Sequence, residues 1–184
     1  MDPIALDSQT LLRPLIPADS PVVHSLILKN RDHLDRWLRW SAPVQTIGDV
    51  DALIARFQTQ EQEGNGFHLG IWTQGELAGG CVCWYIHRQN RNAEIGYWLG
   101  TEFLGRGLAT RSAGAVRDYL FHIERLHRVE MQCAVANQAS RVIPERLGFR
   151  LEGMRRESHW ITTRFLDHVV YGQLESEWRQ LTTA

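Results

Sequence analysis

The chain has 184 residues, of which 43% are hydrophobic and 22% charged, and this length predicts one domain, residues 1–184, around one buried core. Its 20 basic and 21 acidic residues give a formal net charge of −1, which argues against direct binding to nucleic acid or to a membrane surface. Three cysteines favour free thiols over a disulfide framework, and the lack of a leader-like segment or a long apolar run predicts a cytoplasmic protein.

The first half of the sequence predicts strands and helices in succession. Residues 10–15 favour a strand, and Asp19 is the expected cap of a helix over residues 22–29. A short helical segment covers residues 34–41, and apolar residues at helical spacing predict a longer helix over residues 49–63. Residues 67–73 and 77–87 are then expected to form two strands joined by a hairpin.

The second half predicts a strand from Glu94 to Leu99, a helix through residue 123, and a strand over residues 128–135. Residues 138–147 form a short helix in which Pro144 is expected to cause a kink or a 3₁₀ segment. Two last strands, over residues 149–156 and 165–174, complete the pattern. The chain is therefore expected to be an α/β protein with a mixed, mostly antiparallel sheet and helices on both faces.

A glycine-rich turn separates the Glu94 strand from the helix that follows it. Gly105 and Gly107 would let main-chain amides approach an anion, and the first amides of the helix lack partners inside it. The Gly-Lys-Ser/Thr of a Walker loop is absent, and Thr110 stands where a dinucleotide fingerprint would need a third glycine. The alternative is a tight turn without a ligand.

Residues 104–109, Leu-Gly-Arg-Gly-Leu-Ala, resemble the pyrophosphate loop Gln/Arg-x-x-Gly-x-Gly/Ala of the GNAT superfamily of acetyl-CoA-dependent N-acetyltransferases. Residues 137–149 resemble the Asn-x-x-Ser…Leu-Gly-Phe signature of the same superfamily, in the family's order and separation. Leu104 departs from the Gln or Arg of the pattern, which bears on cofactor affinity. The finer resemblance is to the ribosomal-protein alanine and serine N-acetyltransferases, through residues 11–14, 34–40, 94–99 and 167–171.

This resemblance implies the GNAT fold and acetyl-CoA as cosubstrate, with no metal. It places the cofactor against Trp98, Leu99, Leu104, Gly105, Arg106, Gly107, Leu108, Ala109, Thr110 and Asn137. Asn137 would hydrogen-bond the pantetheine arm or cap its helix. Ser140 would act as the acid that meets the departing thiolate, and the alternative is a serine that bonds free amides of the first helical turn.

Acetyl transfer to an amine also needs a group that accepts a proton. Glu94 is the first candidate, for this role or for orienting the amine, and the alternative is a solvated carboxylate at a strand edge. His159 is the second candidate, at a position where the resembling serine acetyltransferases carry a glutamate, although a lone histidine is more often structural.

Trp37 and Trp40 are expected to wall the acceptor groove together with Glu94, and one of the two indoles is expected to be core. The leading acceptor is the N-terminal α-amine of a ribosomal or other protein, reached by direct transfer without an acetyl-enzyme. A small-molecule amine, such as an aminoacyl nucleotide or an antibiotic, is the alternative, and a non-catalytic acyl-CoA sensor is a third hypothesis. A second copy of the chain is a candidate partner in a homodimer.

Overall fold

The computed structural model describes residues 1–182. The strands within these residues are β1 (Ile4–Ala5), β2 (Thr10–Pro14), β3 (Phe67–Thr73), β4 (Glu76–His87), β5 (Asn92–Leu99), β6 (Arg128–Ala134), β7 (Arg150–Ile161) and β8 (Arg164–Leu174). The α-helices are α1 (Ser20–Lys29), α2 (Arg31–Leu34), α3 (Ile47–Gln62), α4 (Leu108–His122), α5 (Gln138–Arg146) and α6 (Glu175–Thr182). No helix of the described part is long and apolar enough to cross a membrane.

The strands form one sheet in the order β1-β2-β3-β4-β5-β6-β8-β7. Neighbouring strands are antiparallel, with the exception of β5 and β6, which are parallel. A parallel pair needs a crossover connection, and α4 supplies it because it lies between β5 and β6 in the chain. The predicted mixed, mostly antiparallel sheet is confirmed.

Helices cover both faces of the central strands. Strand β4 is buried from Leu77 to Cys83 without alternation, which is typical of a strand that is covered on both sides. Helices α1 and α3 pack together and contact β4 and β3 respectively, while α4 contacts β4, β5, β6 and α5. Fully buried side chains of β5, β6 and α4, such as Ile95, Met131 and Leu120, therefore hold β5 and β6 in fixed positions, and these two strands carry the candidate site.

Two predictions for the N-terminal half were wrong in detail. Asp19 occupies the N-cap position of α1 but does not cap it, because its carboxylate accepts two hydrogen bonds from Arg13, at 2.7 and 2.8 Å. The predicted helical segment over residues 34–41 is not a helix, since α2 ends at Leu34 and turns follow. The Ser41 hydroxyl donates to Asp35 at 2.6 Å and holds these turns together.

The C-terminal half differs from the prediction in three places. Helix α5 is α-helical throughout, so the predicted 3₁₀ segment at Pro144 is wrong. Strand β7 runs to Ile161 rather than to residue 156. Helix α6 was not predicted, and it packs Trp178 on Phe121 with ring centroids 5.4 Å apart. In the N-terminal half, the two-residue strand β1 was also not predicted.

Candidate active site between strands β5 and β6

The central cleft exists because β5 and β6 stop pairing halfway along their length. Their parallel register runs from Asn92 opposite Arg128 to Ile95 opposite Met131. Beyond this point, β5 continues to pair with β4 as far as Leu99, and β6 continues to pair with β8 as far as Ala134. The two strands therefore separate, and the space between them opens into a cleft of about 680 Å³.

The cleft brings together most of the side chains predicted for catalysis and for the acceptor. Its lining contains Trp37, Trp40, Glu94, Trp98, Asn137, Ser140 and His159. Leu99 and residues 104–110 of the glycine-rich loop are not part of this lining. The loop comes shortly after β5 in the chain, and Trp98 of β5 lines the cleft.

Glu94 has the properties of a base that works near neutral pH. Its carboxylate accepts a hydrogen bond from the Gln132 side chain at 2.9 Å, and the Gln132 oxygen accepts one from Arg155 at 3.3 Å. Burial, and next the negative charge of Glu130, its neighbour across the β5–β6 pair, raise the pKa of Glu94 to about 7, although Gln132 and Arg155 act to lower it. The carboxylate can therefore accept a proton at neutral pH.

Ser140 lies in the first turn of α5, where Asn137 caps the helix. The Asn137 side-chain oxygen accepts from the Ser140 amide at 3.2 Å, as an N-cap residue does. The Ser140 hydroxyl does not bond helix amides and instead contacts the Tyr97 hydroxyl at 3.2 Å and the Cys133 sulfur at 3.5 Å. The side chain is thus turned from its own helix towards β5 and β6, as a proton donor in the cleft requires.

Tyr97 explains why α5 tolerates a proline. Pro144 has no N–H, so it leaves the Ser140 carbonyl without its partner inside the helix. The Tyr97 hydroxyl donates to this carbonyl at 2.8 Å and so replaces the missing bond. Burial raises the pKa of Tyr97 well above its usual value, so this donor keeps its proton.

The glycine-rich loop has the backbone geometry of an anion cradle. Gly105 and Gly107 have φ of +74° and +70°, and a Cβ built on either would meet no atom of the described protein within 4 Å. Gly107 is the N-cap of α4, so the amides of Leu108, Ala109 and Thr110 begin the helix without partners inside it. This geometry agrees with the sequence prediction of glycine-flanked amides at a helix N-terminus. Such amides suit an anion such as the diphosphate of coenzyme A.

The side chains of Arg106 and Leu104 do not hydrogen-bond the amides of this loop. The Arg106 guanidinium donates to the Glu102 carbonyl at 2.8 Å and lies over the Phe103 ring, 5.3 Å from its centre. Leu104, where the family pattern has Gln or Arg, is 48% exposed and ends the 3₁₀ turn Thr101–Phe103. It adds no polar group, so the amides supply the polar contacts of the cradle.

The two tryptophans predicted for the acceptor have different environments. Trp40 packs edge-on against Trp98 at 5.4 Å, and the Trp98 ring nitrogen donates to buried His68 at 3.3 Å. Trp37 lies in the turns after α2, is partly exposed and lines the cleft. Trp40 therefore packs against the hydrophobic core, whereas Trp37, which is also partly exposed, lies outside that cluster.

His159 lies in the cleft, stacked on His168 with ring centroids 3.7 Å apart and planes within 1°. Its Nδ1 is 3.2 Å from the Ser158 hydroxyl. Burial lowers the pKa of His159 and lowers that of His168 to about 4, and Arg155 adds to both effects. Both rings are therefore neutral at pH 7, and His159 is a weaker base than an unperturbed histidine.

Sequence reasoning missed four residues that the cleft brings to Glu94 and Ser140, namely Tyr97, Gln132, Cys133 and Arg155. One indication of a residue such as Tyr97 was available in the sequence. A proline at position 144 leaves the Ser140 carbonyl without its helical hydrogen bond, so a donor from outside the helix is needed. The others had none, since their approach depends on the separation of β5 from β6. Cys81, Cys83 and Cys133 are free and buried, as expected.

Three comparisons with known proteins identify the family of the chain. The acetyltransferase (GNAT) domain model matches residues 9–150. The ribosomal-protein-serine acetyltransferase of Escherichia coli (strain K12) is 28% identical over 83% of this chain and 85% of its own length. The spermidine N(1)-acetyltransferase of Vibrio cholerae serotype O1 is 27% identical over 88% of this chain and 91% of its own.

A solved structure of RimL, a ribosomal L7/L12 alpha-N-protein acetyltransferase, superposes with a TM-score of 0.91 at 27% identity. The match covers 94% of this chain and 98% of RimL, which is in complex with coenzyme A through a disulfide to one of its cysteines. The chain therefore belongs to the GNAT superfamily, with the fold of its ribosomal-protein branch, and is an acetyl-CoA-dependent N-acetyltransferase.

Proposed function

We propose that this enzyme acetylates the N-terminal α-amine of a protein by direct transfer from acetyl-CoA. The observation that carries the proposal is that Glu94 from β5 and Ser140 from α5 line one cleft, and the glycine-rich loop follows β5 in the chain. In the reaction, the amine nitrogen bonds to the acetyl carbon and the carbon–sulfur bond breaks. A proton then leaves the amine, and the sulfur gains one.

Glu94 takes the amine proton. An α-amine has a pKa of about 8, whereas that of lysine is about 10.4. A carboxylate with a pKa of about 7 is well matched to the first of these and poorly matched to the second. His159 remains the second candidate, disfavoured because its lowered pKa makes it the weaker base.

Ser140 donates to the departing thiolate. Its hydroxyl is held between Tyr97 and Cys133, so a small rotation turns its proton towards a sulfur in the cleft. The disulfide between coenzyme A and a cysteine in the related RimL structure shows that the sulfur of the cofactor reaches a cysteine of that protein. Cys133, beside Ser140, supports the same approach here.

Cys133 does not act as a nucleophile in this proposal. Burial raises the pKa of its thiol, so the reactive thiolate is disfavoured at neutral pH. Incubation with acetyl-CoA in the absence of an acceptor should therefore leave the intact mass of the protein unchanged. A protein that gained the mass of one acetyl group, and lost this gain on Cys133→Ala, would contradict direct transfer.

The proposal is tested by measuring release of coenzyme A thiol with a panel of acceptors. The panel contains peptides with a free α-amine, the same peptides with the α-amine blocked and a lysine added, an aminoacyl adenylate, an aminoglycoside and spermidine. Turnover of the free α-amine peptides alone is the expected result. A preference for the lysine side chain or for spermidine would overturn it, and cofactor binding without any turnover would indicate an acyl-CoA sensor.

A further inference from the structure

The lining of the cleft carries positive charge that the acetyl-transfer chemistry does not use. Arg39, Arg56 and Arg155 line the cleft, while Glu94 is the one acidic residue of its described lining. None of the three arginines forms an ion pair within residues 1–182. The chain as a whole has a net charge of −1, so this positive charge is local to the cleft.

A buried histidine without hydrogen-bond partners lies in the same region. His168 is 7% exposed, lines the cleft, and neither of its ring nitrogens has a partner among the described residues. Buried polar atoms in folded proteins are nearly always satisfied by protein, water or a ligand. The neutral ring keeps one N–H, which is therefore a hydrogen-bond donor that the protein itself does not use.

An irregularity in β7 places His159 over His168. Arg155 pairs with His168, whereas His159 pairs with Leu166, so three residues of β7 oppose one residue of β8. Glu157, inside this bulge, has φ of +48°, and its amide donates to Asp167 at 2.7 Å. Bulges often redirect side chains next to functional sites, and this one covers one face of the His168 ring with the parallel His159 ring.

Arg39 and Arg155 flank this histidine pair from two elements. Arg39 lies in the turns between Trp37 and Trp40, and Arg155 precedes the bulge of β7. Both guanidinium groups act on His159 electrostatically, and Arg155 also acts on His168. The two charges, the unused N–H of His168 and Glu94 therefore belong to one cleft, in which Gln132 links Arg155 to Glu94.

We propose that Arg39, Arg155 and His168 form a subsite for an anionic group of the acceptor, a carboxylate or a phosphate, next to the amine that Glu94 deprotonates. This inference rests on the proposed function and specifies its substrate class. Guanidinium groups favour such anions, and the same charges repel polycationic amines such as spermidine and aminoglycosides.

The position of the subsite sets where the anion must lie. Two hydrogen bonds through the single amide of Gln132 connect Arg155 to Glu94. This path is on the order of 8 Å, and an extended peptide advances about 3.4 Å per residue, so the path spans about the first two or three residues of the acceptor. For a protein acceptor, the anion is thus an Asp or Glu at the second or third position of the chain. For an aminoacyl nucleotide, it is the phosphate.

The experiment compares kcat/KM for three peptides that differ only at positions two and three, which carry Asp, Asn or Lys. The kcat/KM of the Asp peptide should exceed that of the Asn peptide by about tenfold, because its carboxylate gains a charged hydrogen bond from the arginines. The Lys peptide should have the lowest kcat/KM, because its ammonium group is repelled. Arg39→Gln should bring the Asp-to-Asn ratio close to one. Arg36→Gln, at an exposed arginine of the same turns outside the cleft lining, should leave that ratio unchanged.

A second variant and a second acceptor distinguish a failure of the anion subsite from a failure of the proposed function. His168→Phe keeps an aromatic ring under His159 but removes the N–H, and it should also lower the Asp-to-Asn ratio. Equal kcat/KM for all three peptides would overturn the anion subsite while leaving N-terminal acetylation intact. Turnover of an aminoacyl adenylate that depends on Arg39, with no turnover of peptides, would support the subsite and overturn the protein acceptor. Turnover of spermidine alone would overturn both.

Discussion

The hydroxyl of Tyr97 donates to the Ser140 carbonyl at 2.8 Å, and this is the carbonyl that Pro144 deprives of a helical partner. The same hydroxyl lies 3.2 Å from the Ser140 side chain. One tyrosine of β5 therefore satisfies the backbone of α5 and positions the side chain that is proposed to meet the thiolate. Pro144 removes the helical donor of the Ser140 carbonyl, and Tyr97 supplies a donor in its place.

This coupling predicts a non-additive double-mutant cycle. Tyr97→Phe should lower the free energy of unfolding by about 1–3 kcal/mol, because a part-buried carbonyl loses its donor. In a Pro144→Ala background the new N–H of residue 144 can bond the carbonyl, so the same change should cost about 1 kcal/mol less. Urea denaturation of the four proteins measures both values. Equal costs in the two backgrounds would show that the two residues are independent.

Ser140→Ala should lower kcat by about 10²-fold or more and leave the Kd for acetyl-CoA nearly unchanged, since the hydroxyl acts on the leaving thiolate. The Tyr97 bond to the residue 140 carbonyl survives in this variant, so the helix stays in place. Stopped-flow measurement of thiol release and calorimetric titration with acetyl-CoA separate the two quantities. Unchanged turnover would exclude Ser140 as the acid.

Gly107→Val should abolish binding of acetyl-CoA, because its side chain would occupy the space that the loop offers to the diphosphate. Gly75→Val is the matched control, since Gly75 also has a positive φ, +81°, with no atom within 4 Å of its Cβ position. Both variants strain a left-handed backbone by about 1–2 kcal/mol, but Gly75 lies in the hairpin between β3 and β4. Loss of cofactor binding in both would point to general destabilisation instead.

Glu94 should make the enzyme less stable when it is ionised. Its folded pKa of about 7 lies above the usual value of 4.5, so the folded state binds more protons than the unfolded state between these values. The free energy of unfolding therefore falls as the pH rises from about 4.5 to about 7 and stays reduced above that range. Glu94→Gln removes the free-energy cost of ionising this buried carboxyl and should stabilise the protein at pH 8 by on the order of 2–3 kcal/mol. Chemical denaturation at pH 5 and pH 8 tests this, since a gain that is equal at both values would not come from ionisation.

The order of elements was predictable from the sequence because apolar spacing and glycine turns are local signals. Strands β3 to β6 and helices α3 and α4 follow from them to within two residues. The turns after Leu34 were not predictable, because the Ser41–Asp35 bond and the fit of Trp40 to Trp98 decide them. Helix α6 depends in the same way on a distant contact between Trp178 and Phe121.

The site was predictable only as far as its motifs reach. Glu94, Ser140 and the glycine loop could be named because each lies at an ordered position in a family pattern. The raised pKa of Glu94 could not be predicted from the sequence, since it arises from burial and from Glu130 across a parallel strand pair. The His159–His168 stack was also hidden, because a bulge in β7 shifts the register between the two residues.

The pH dependence of kcat/KM with a free α-amine peptide tests the central role of Glu94 most directly. The kcat/KM of the wild-type enzyme should decrease as the pH is lowered through about 7, because the Glu94 carboxylate becomes protonated, which gives an acidic limb near pH 7. Glu94→Gln should lose that limb and about 10²-fold or more of the activity, while it still binds acetyl-CoA. A Glu94→Gln enzyme with wild-type activity and an unchanged limb near pH 7 would contradict the assignment.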